Sequence, residues 1–176
     1  MKKLILDELN RVSVSTYKVQ PKYPVTLILD NVRSGLNVGS AFRTADAFAI
    51  EQIILCGITP KPPHREILKT AIGATESVNW QYSESVYTTA EEFKNNGYQI
   101  SLVEQMNKST SLEKWQINSD QKIALVFGNE VNGVSEEVIP IADNALEIPQ
   151  FGTKHSLNIS VSIGIVLWHY MGQILS

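Results

Sequence analysis

Three short segments gather residues able to bind a ligand and act on it. In 148–158, Pro149 ends an apolar run, Gly152 breaks the chain, and Lys154, His155, Ser156 and Asn158 precede a long apolar stretch. One loop therefore offers a cation, hydrogen-bond donors and a pliable backbone. Ser156 is equally an ordinary helix N-cap, which accounts for it but not for its neighbours. In 127–135, an apolar run ends at Phe127 and is followed by Gly128, Asn129, Glu130, Asn132 and Gly133. A backbone-lined pocket fits this pattern, with the Glu130 carboxylate suited to a hydroxyl or cationic group; a plain surface turn fits it too. Ser135, followed by Glu136 and Glu137, reads as a helix start. In 30–48, Asn37 suits a helix cap, and Gly35 and Gly39 allow close backbone approach, so a phosphate could sit at that helix N-terminus. Arg43, six residues beyond Asn37, can serve the same rim, but spacing alone slightly favours a solvated arginine paired with Asp46 or Asp30.

Other catalytic patterns are absent. The chain has no Walker-type phosphate loop, no Gly-x-Gly-x-x-Gly after a strand and no nucleophile-elbow serine. One cysteine and three scattered histidines (His64, His155, His169) make a zinc site improbable, and no metal is expected. Cys56, inside the run 53–56, is read as a buried thiol.

The three segments need a scaffold that brings them together. Apolar runs at 25–29, 52–56, 77–80, 98–103, 122–127 and 145–148 read as strands. Helices fit at about 3–12, 37–48, 64–71, 89–96, 135–140 and 156–174, with Thr89 and Glu92 at capping-box spacing and Gly97 as a stop. In the last helix Leu157, Val161, Ile165 and Trp168 are assigned to the core. This alternation predicts an α/β fold, a mostly parallel sheet with helices on both faces, whose ligand site lies beyond the carboxyl ends of the strands. All three segments follow strands.

Composition sets the outer bounds. With 176 residues, 43% of them hydrophobic and 19% charged, the chain suits one self-supporting globular domain. The expected division is a short N-terminal helix and tail, 1–24, ahead of a single domain, 25–176. No segment has the length of a signal-peptide core or membrane span, so a cytoplasmic protein is expected. The net charge of −3 is uneven: residues 1–70 carry +4 and residues 71–176 carry −7. A basic face on an acidic protein is one reading, and an ordinary solvated surface is the other.

Taken in order, the segments resemble the three motifs of the SpoU/TrmH-type branch of the SPOUT RNA methyltransferases. Asn37, Gly39 and Arg43-Thr44-Ala45-Asp46-Ala47-Phe48 are similar to the first motif. Phe127-Gly128-Asn129-Glu130, with Gly133-Val134-Ser135, is similar to the second. Ile148-Pro149, Gly152 and Ser156-Leu157-Asn158-Ile159-Ser160-Val161-Ser162 are similar to the third. The resemblance runs from about residue 25 to the C-terminus. It implies a sheet whose C-terminal part forms a trefoil knot, and S-adenosylmethionine held by Gly128, Asn129, Gly133, Ile148, Gln150, Ser156 and Leu157, with Leu102 and Val103 as a wall for the adenine. It further implies a homodimer in which the first motif of one subunit completes the site of the other, with Trp168 and Met171 at the interface.

The implied reaction is methyl transfer to the 2′-hydroxyl of an RNA ribose. Arg43 would engage RNA phosphate, and Asn37, Glu130, Ser156 and Asn158 would position the reactants. A guanidinium hardly deprotonates, so Arg43 suits positioning better than general-base work. Arg33, Lys61, Arg65 and Lys154 are further candidates for RNA contact, and five Lys/Arg in 1–24 are another. Transfer RNA is slightly favoured over ribosomal RNA. The competing readings are a methyltransferase acting elsewhere than on ribose, a non-catalytic RNA- or cofactor-binding protein of the same fold, and a nucleotide-binding regulator with a flavodoxin-like sheet.

Overall fold

The structure, a computed structural model, describes residues 1–118 and 120–175. Its strands are β1 (Tyr23–Asp30), β2 (Ile50–Cys56), β3 (Asn79–Ser83), β4 (Gln99–Val103), β5 (Thr110–Ser111), β6 (Ile123–Phe127) and β7 (Asn144–Glu147). Its α-helices are α1 (Val14–Val19), α2 (Gly35–Ala47), α3 (Arg65–Ala71), α4 (Ala74–Ser77), α5 (Val86–Asn95) and α6 (Ile159–Ile174). The strands form one sheet in the order β3-β2-β1-β6-β4-β7-β5, and every pairing is parallel. The α/β expectation holds. Among the described residues, no helix is long and apolar enough to cross a membrane.

Burial on both faces explains why the strands read as continuous apolar runs. On β1, Val25, Leu27 and Leu29 point into a core shared with α2, α3 and α6. Ile28 of the same strand points into a second core, closed by Val86 and Ala90 of α5 and by Val138 of the 3₁₀ turn Glu136–Ile141. Cys56 is buried in this second core, and burial pushes its thiol up to about 11, as befits a packing residue.

Several local expectations give way to tertiary context. Helix 3–12 is replaced by a 3₁₀ turn, Leu6–Leu9, that stops at the left-handed Asn10, and α1 starts afresh behind the Ser13 cap. Ser34, not Asn37, caps α2, its hydroxyl accepting from the Asn37 N–H. Ser85, not Thr89, caps α5; Thr89 is buried one turn inside, its hydroxyl donating to the Ser85 carbonyl at 2.8 Å. Asn158, not Ser156, caps α6. In place of a helix at 135–140 there is the 3₁₀ turn Glu136–Ile141 with Pro140 inside it, and Ser77 closes α4 rather than opening a strand.

The largest correction concerns α6. Its buried stripe is Ile159, Ile163, Val166, Leu167, Tyr170 and Met171, the last placed with Trp168 at an interface by the resemblance, while Leu157, Val161, Ile165 and Trp168 are 38%, 49%, 37% and 68% exposed. A helix that is apolar all round satisfies more than one stripe at helical spacing, so periodicity alone does not choose the inward one.

α2 and α3 pack closely at Gly39, where an added Cβ would lie 2.1 Å from Thr70 Oγ1 and 2.3 Å from the Ile67 carbonyl oxygen. A backbone oxygen yields only if the helices part. Gly39→Ala is therefore expected to destabilise the fold by about 3 kcal/mol, the upper end of an overpacked core, as measured by denaturant unfolding.

Candidate functional site

β1, β6, β4 and β7 are neighbours in the sheet, so the loops leaving their carboxyl ends crowd together. They surround a cavity of about 800 Å³, within the range of small-molecule sites.

Asp30, the last residue of β1, is fully buried. Its carboxylate accepts from the Ser135 N–H at 2.6 Å, the Ser135 hydroxyl at 3.0 Å and the Asn31 side-chain amide at 2.8 Å. This pins the far end of the 128–134 loop to the central strand. The near end is closed by a two-residue antiparallel bridge between Asn129 and Gly133, and Asn129 Oδ1 accepts from the Val131 and Asn132 N–H groups. Gly128 has to be glycine because a Cβ there would lie 1.9 Å from the Gly133 carbonyl carbon.

The loop so held carries Glu130 to the start of α2. Glu130 Oε1 accepts from Asn37 Nδ2 at 2.9 Å and Oε2 from the Arg33 N–H at 3.3 Å. Asn37 Oδ1 in turn accepts from Asn158 Nδ2 at 3.2 Å, and Asn158 Oδ1 accepts from the Ser160 N–H and hydroxyl at the head of α6. One hydrogen-bonded chain thus joins all three segments. Partial burial pushes the Glu130 carboxyl up, but hydrogen bonds from Asn37, then from backbone N–H groups including those of Arg33 and Ser34, outweigh it and hold the pKa below its ordinary value.

Of the expected cofactor residues, Val103, Gly128, Asn129 and Gly133 line one side of the cavity, and Ile148, Gln150, Ser156 and Leu157 the other. Leu102 does not: successive strand residues face opposite ways, and its side chain is in the second core. Glu130 and Asn158 also reach the cavity, while Asn37 stands behind them. Arg43 is absent from the cavity wall, exposed, and without a hydrogen bond or ion pair among the described residues. Six residues at 100° each place it about 120° around the helix from Asn37, so the two do not share a rim within one chain. Pairing with Asp30 or Asp46 does not occur either: Asp30 holds Ser135, and Asp46 accepts from the Ser77 hydroxyl. Arg33, Lys61, Arg65 and Lys154 are exposed, and Lys61 lies 3.7 Å over the Tyr82 ring.

The sequence reading passed over Asp30 as a ligand of the loop, and missed Glu104 and Gln105, which line the cavity beyond β4. An acid ending a central apolar strand was the available signal for Asp30; the pair at 104–105 had none, since its partners lie 30 and 50 residues away. Among the described residues the cavity wall includes Glu104, Glu130, Glu136 and Glu147 but no Lys or Arg. With aliphatic faces from Val103, Ile148 and Leu157, that donor set suits a cationic ligand bearing a flat ring. Among the described residues, no cluster of metal-ligating side chains is present.

A family model described as the SpoU rRNA methylase family matches residues 24–168. An uncharacterized tRNA/rRNA methyltransferase of Borreliella burgdorferi is 32% identical over 148 residues, covering 84% of this chain and 64% of that protein. A tRNA (guanosine(18)-2′-O)-methyltransferase of Aquifex aeolicus is 33% identical over 150 residues, covering 82% of this chain and 67% of that protein. The crystal structure of an AdoMet-bound rRNA methyltransferase from Sinorhizobium meliloti is similar with a TM-score of 0.80 at 27% identity, covering 91% of this chain and 60% of that one. The chain spans about two thirds of the length of these proteins.

Replacing Asn37 by alanine removes the strongest donor to Glu130, so the Glu130 pKa should rise toward the ordinary 4.5, as followed by carboxyl chemical shifts. A depressed folded-state pKa stabilises the protein above the unfolded value and loses that contribution as pH falls through the folded one. The variant should therefore lose less stability than the parent on acidification through that window.

Proposed function

This chain belongs to the SpoU rRNA methylase family, and from that membership we propose that it transfers a methyl group from S-adenosylmethionine to the 2′-hydroxyl of a ribose in RNA. The observation that carries the reading is the chain Glu130, Asn37, Asn158, which joins the three motif segments beside a cavity at the carboxyl ends of the parallel strands. When bound, S-adenosylmethionine supplies an electrophilic methyl on a sulfonium. The residues that would hold it are Gly128, Asn129, Gly133, Ile148, Gln150, Ser156 and Leu157, with Val103 against the adenine; the acidic wall complements the positive sulfur.

In the transfer, the ribose oxygen gains the methyl carbon, the sulfur–methyl bond breaks, and the hydroxyl proton leaves. The protein's work is to hold the oxygen in line. Glu130, with its pKa held low and both oxygens engaged, is a weak base, and its role is to orient Asn37 and through it Asn158. Ser156 faces the same space from the third segment. Arg43 supplies a fixed cation for the RNA phosphate, aided by Arg33, Lys61, Arg65 and Lys154, and the hydroxyl proton passes to solvent.

Arg43 points away from its own cavity, and this favours a homodimer in which it serves the neighbouring one. The stripe Val161, Ile165 and Trp168 is the apolar surface a second copy would cover. The C-terminal trefoil knot belongs to the same reading; it is supported by the insertion of β6 between β1 and β4 and by the return of α6 onto α2. Residues 25–176 are then the methyltransferase domain, with 1–24 an appended RNA contact. Transfer RNA is the favoured substrate, in keeping with the name of the Aquifex aeolicus relative.

Purified protein supplied with labelled S-adenosylmethionine should methylate RNA, transfer RNA more than ribosomal RNA, leaving one alkali-resistant linkage. Label on a base, or binding without transfer, rejects the reading. Arg43→Lys should lower the rate at least about tenfold, because an ammonium cannot reproduce bidentate phosphate recognition. Trp168→Glu should convert a sedimenting dimer to monomer and abolish transfer; a dimer that persists would refute the α6 interface.

A further inference from the structure

β4 lies between β6 and β7, so its carboxyl end can touch the loops that follow both. Two consecutive residues there reach opposite ways. Glu104 turns to the 128–134 loop: its Oε2 accepts from the Val134 N–H at 3.1 Å, while Oε1 is engaged by the Gln105 N–H at 2.9 Å. The approach is tight, for a Cβ on Gly133 would lie 2.1 Å from Glu104 Oε2, and Gly133 already has a φ of +69°. Gln105 turns to the other wall, its Nε2 donating to the His155 carbonyl at 2.7 Å.

The second contact stands almost alone. Residues 151–157 are exposed, and among the described residues no other hydrogen bond ties 149–157 to the rest of the protein. Yet this segment contributes Gln150, His155, Ser156 and Leu157 to the cavity.

We propose that Gln105 and Glu104 are positioning residues for the methyl donor: Glu104 fixes one wall of the cavity, and Gln105 is the latch that holds segment 149–157 closed over the other. The proposal rests on the reading of the cavity as the S-adenosylmethionine site. Its consequence is a selective kinetic signature. Losing the latch weakens donor binding in ground state and transition state alike, so KM for the donor rises while kcat at saturation stays close to the parent value.

The test uses the full chain and Gln105→Ala, with Gln105→Glu as a second variant whose carboxylate would face the His155 carbonyl. Both replacements are at an exposed position, and unchanged melting curves check folding. Calorimetric titration with S-adenosylmethionine should show a loss of about tenfold in affinity for Gln105→Ala, the scale of one well-made hydrogen bond, and more for Gln105→Glu. Amide exchange in 149–157 should quicken, KM for the donor should rise about tenfold, and KM for RNA should not change. If the parent binds S-adenosylmethionine and Gln105→Ala binds it as tightly, or if exchange in 149–157 is unaltered, the latch is refuted while the cofactor reading stands. If the parent itself fails to bind, the cofactor reading falls and takes the proposal with it.

Discussion

A carboxylate without access to water has to find donors, and Asp30 finds them in places that determine the rest of the site. It ends the central strand β1, and three donors converge on it, two of them from Ser135, 105 residues along the chain. That attachment holds the 128–134 loop against β1. With both ends of the loop fixed, Glu130 is delivered to Asn37 and the Arg33 N–H, and Asn37 is delivered to Asn158. The first turn of α2 and the cap of α6 are thereby coupled to a buried carboxylate at the middle of the sheet. Asp30 does not line the cavity, yet the geometry of the wall descends from it.

The molecule divides its surfaces by the same economy. The apolar strand residues pack into the two cores, while the polar groups of the three segments collect at the carboxyl ends. There the polar atoms are mostly spoken for by one another, and the space between them is acidic. The exposed cations do not line it: Arg33 lies just before α2 and Arg43 on it, Lys61 and Arg65 lie between β2 and the start of α3, and Lys154 lies in the segment before α6. On the proposed reading, the acidic cavity suits a positively charged donor and the exposed cations suit a polyanion, a division open to a chain of net charge −3.

Legibility of the sequence followed the range of the interaction being read. The strands at 25–29, 52–56 and 122–127 were visible because a strand buried on both faces needs an unbroken apolar run. Caps were not, because Ser34 and Asn37, Ser85 and Thr89, and Ser156 and Asn158 offer equivalent oxygens a few residues apart, and the choice between them is made by where each loop is tied. On α6 the outward stripe was mistaken for the inward one, since both are apolar. Arg43 was placed on the rim with Asn37 from nearness in sequence, where helical rotation separates them.

By itself the sequence determined the class of fold and singled out three loops that follow strands, with Glu130, Ser156 and Asn158, which the fold brings to the cavity wall, because periodicity and loop composition are local properties that no later packing removes. Tertiary structure alone decided the strand order, with β6 inserted between β1 and β4. It alone decided that Asp30 anchors a loop, that Leu102 faces away from the cavity, and that Glu104 and Gln105 bridge its two walls. Those outcomes depend on which strand ends become neighbours, and a hydrogen bond between residues 30, 50 or 105 positions apart leaves no periodic trace in the chain that makes it.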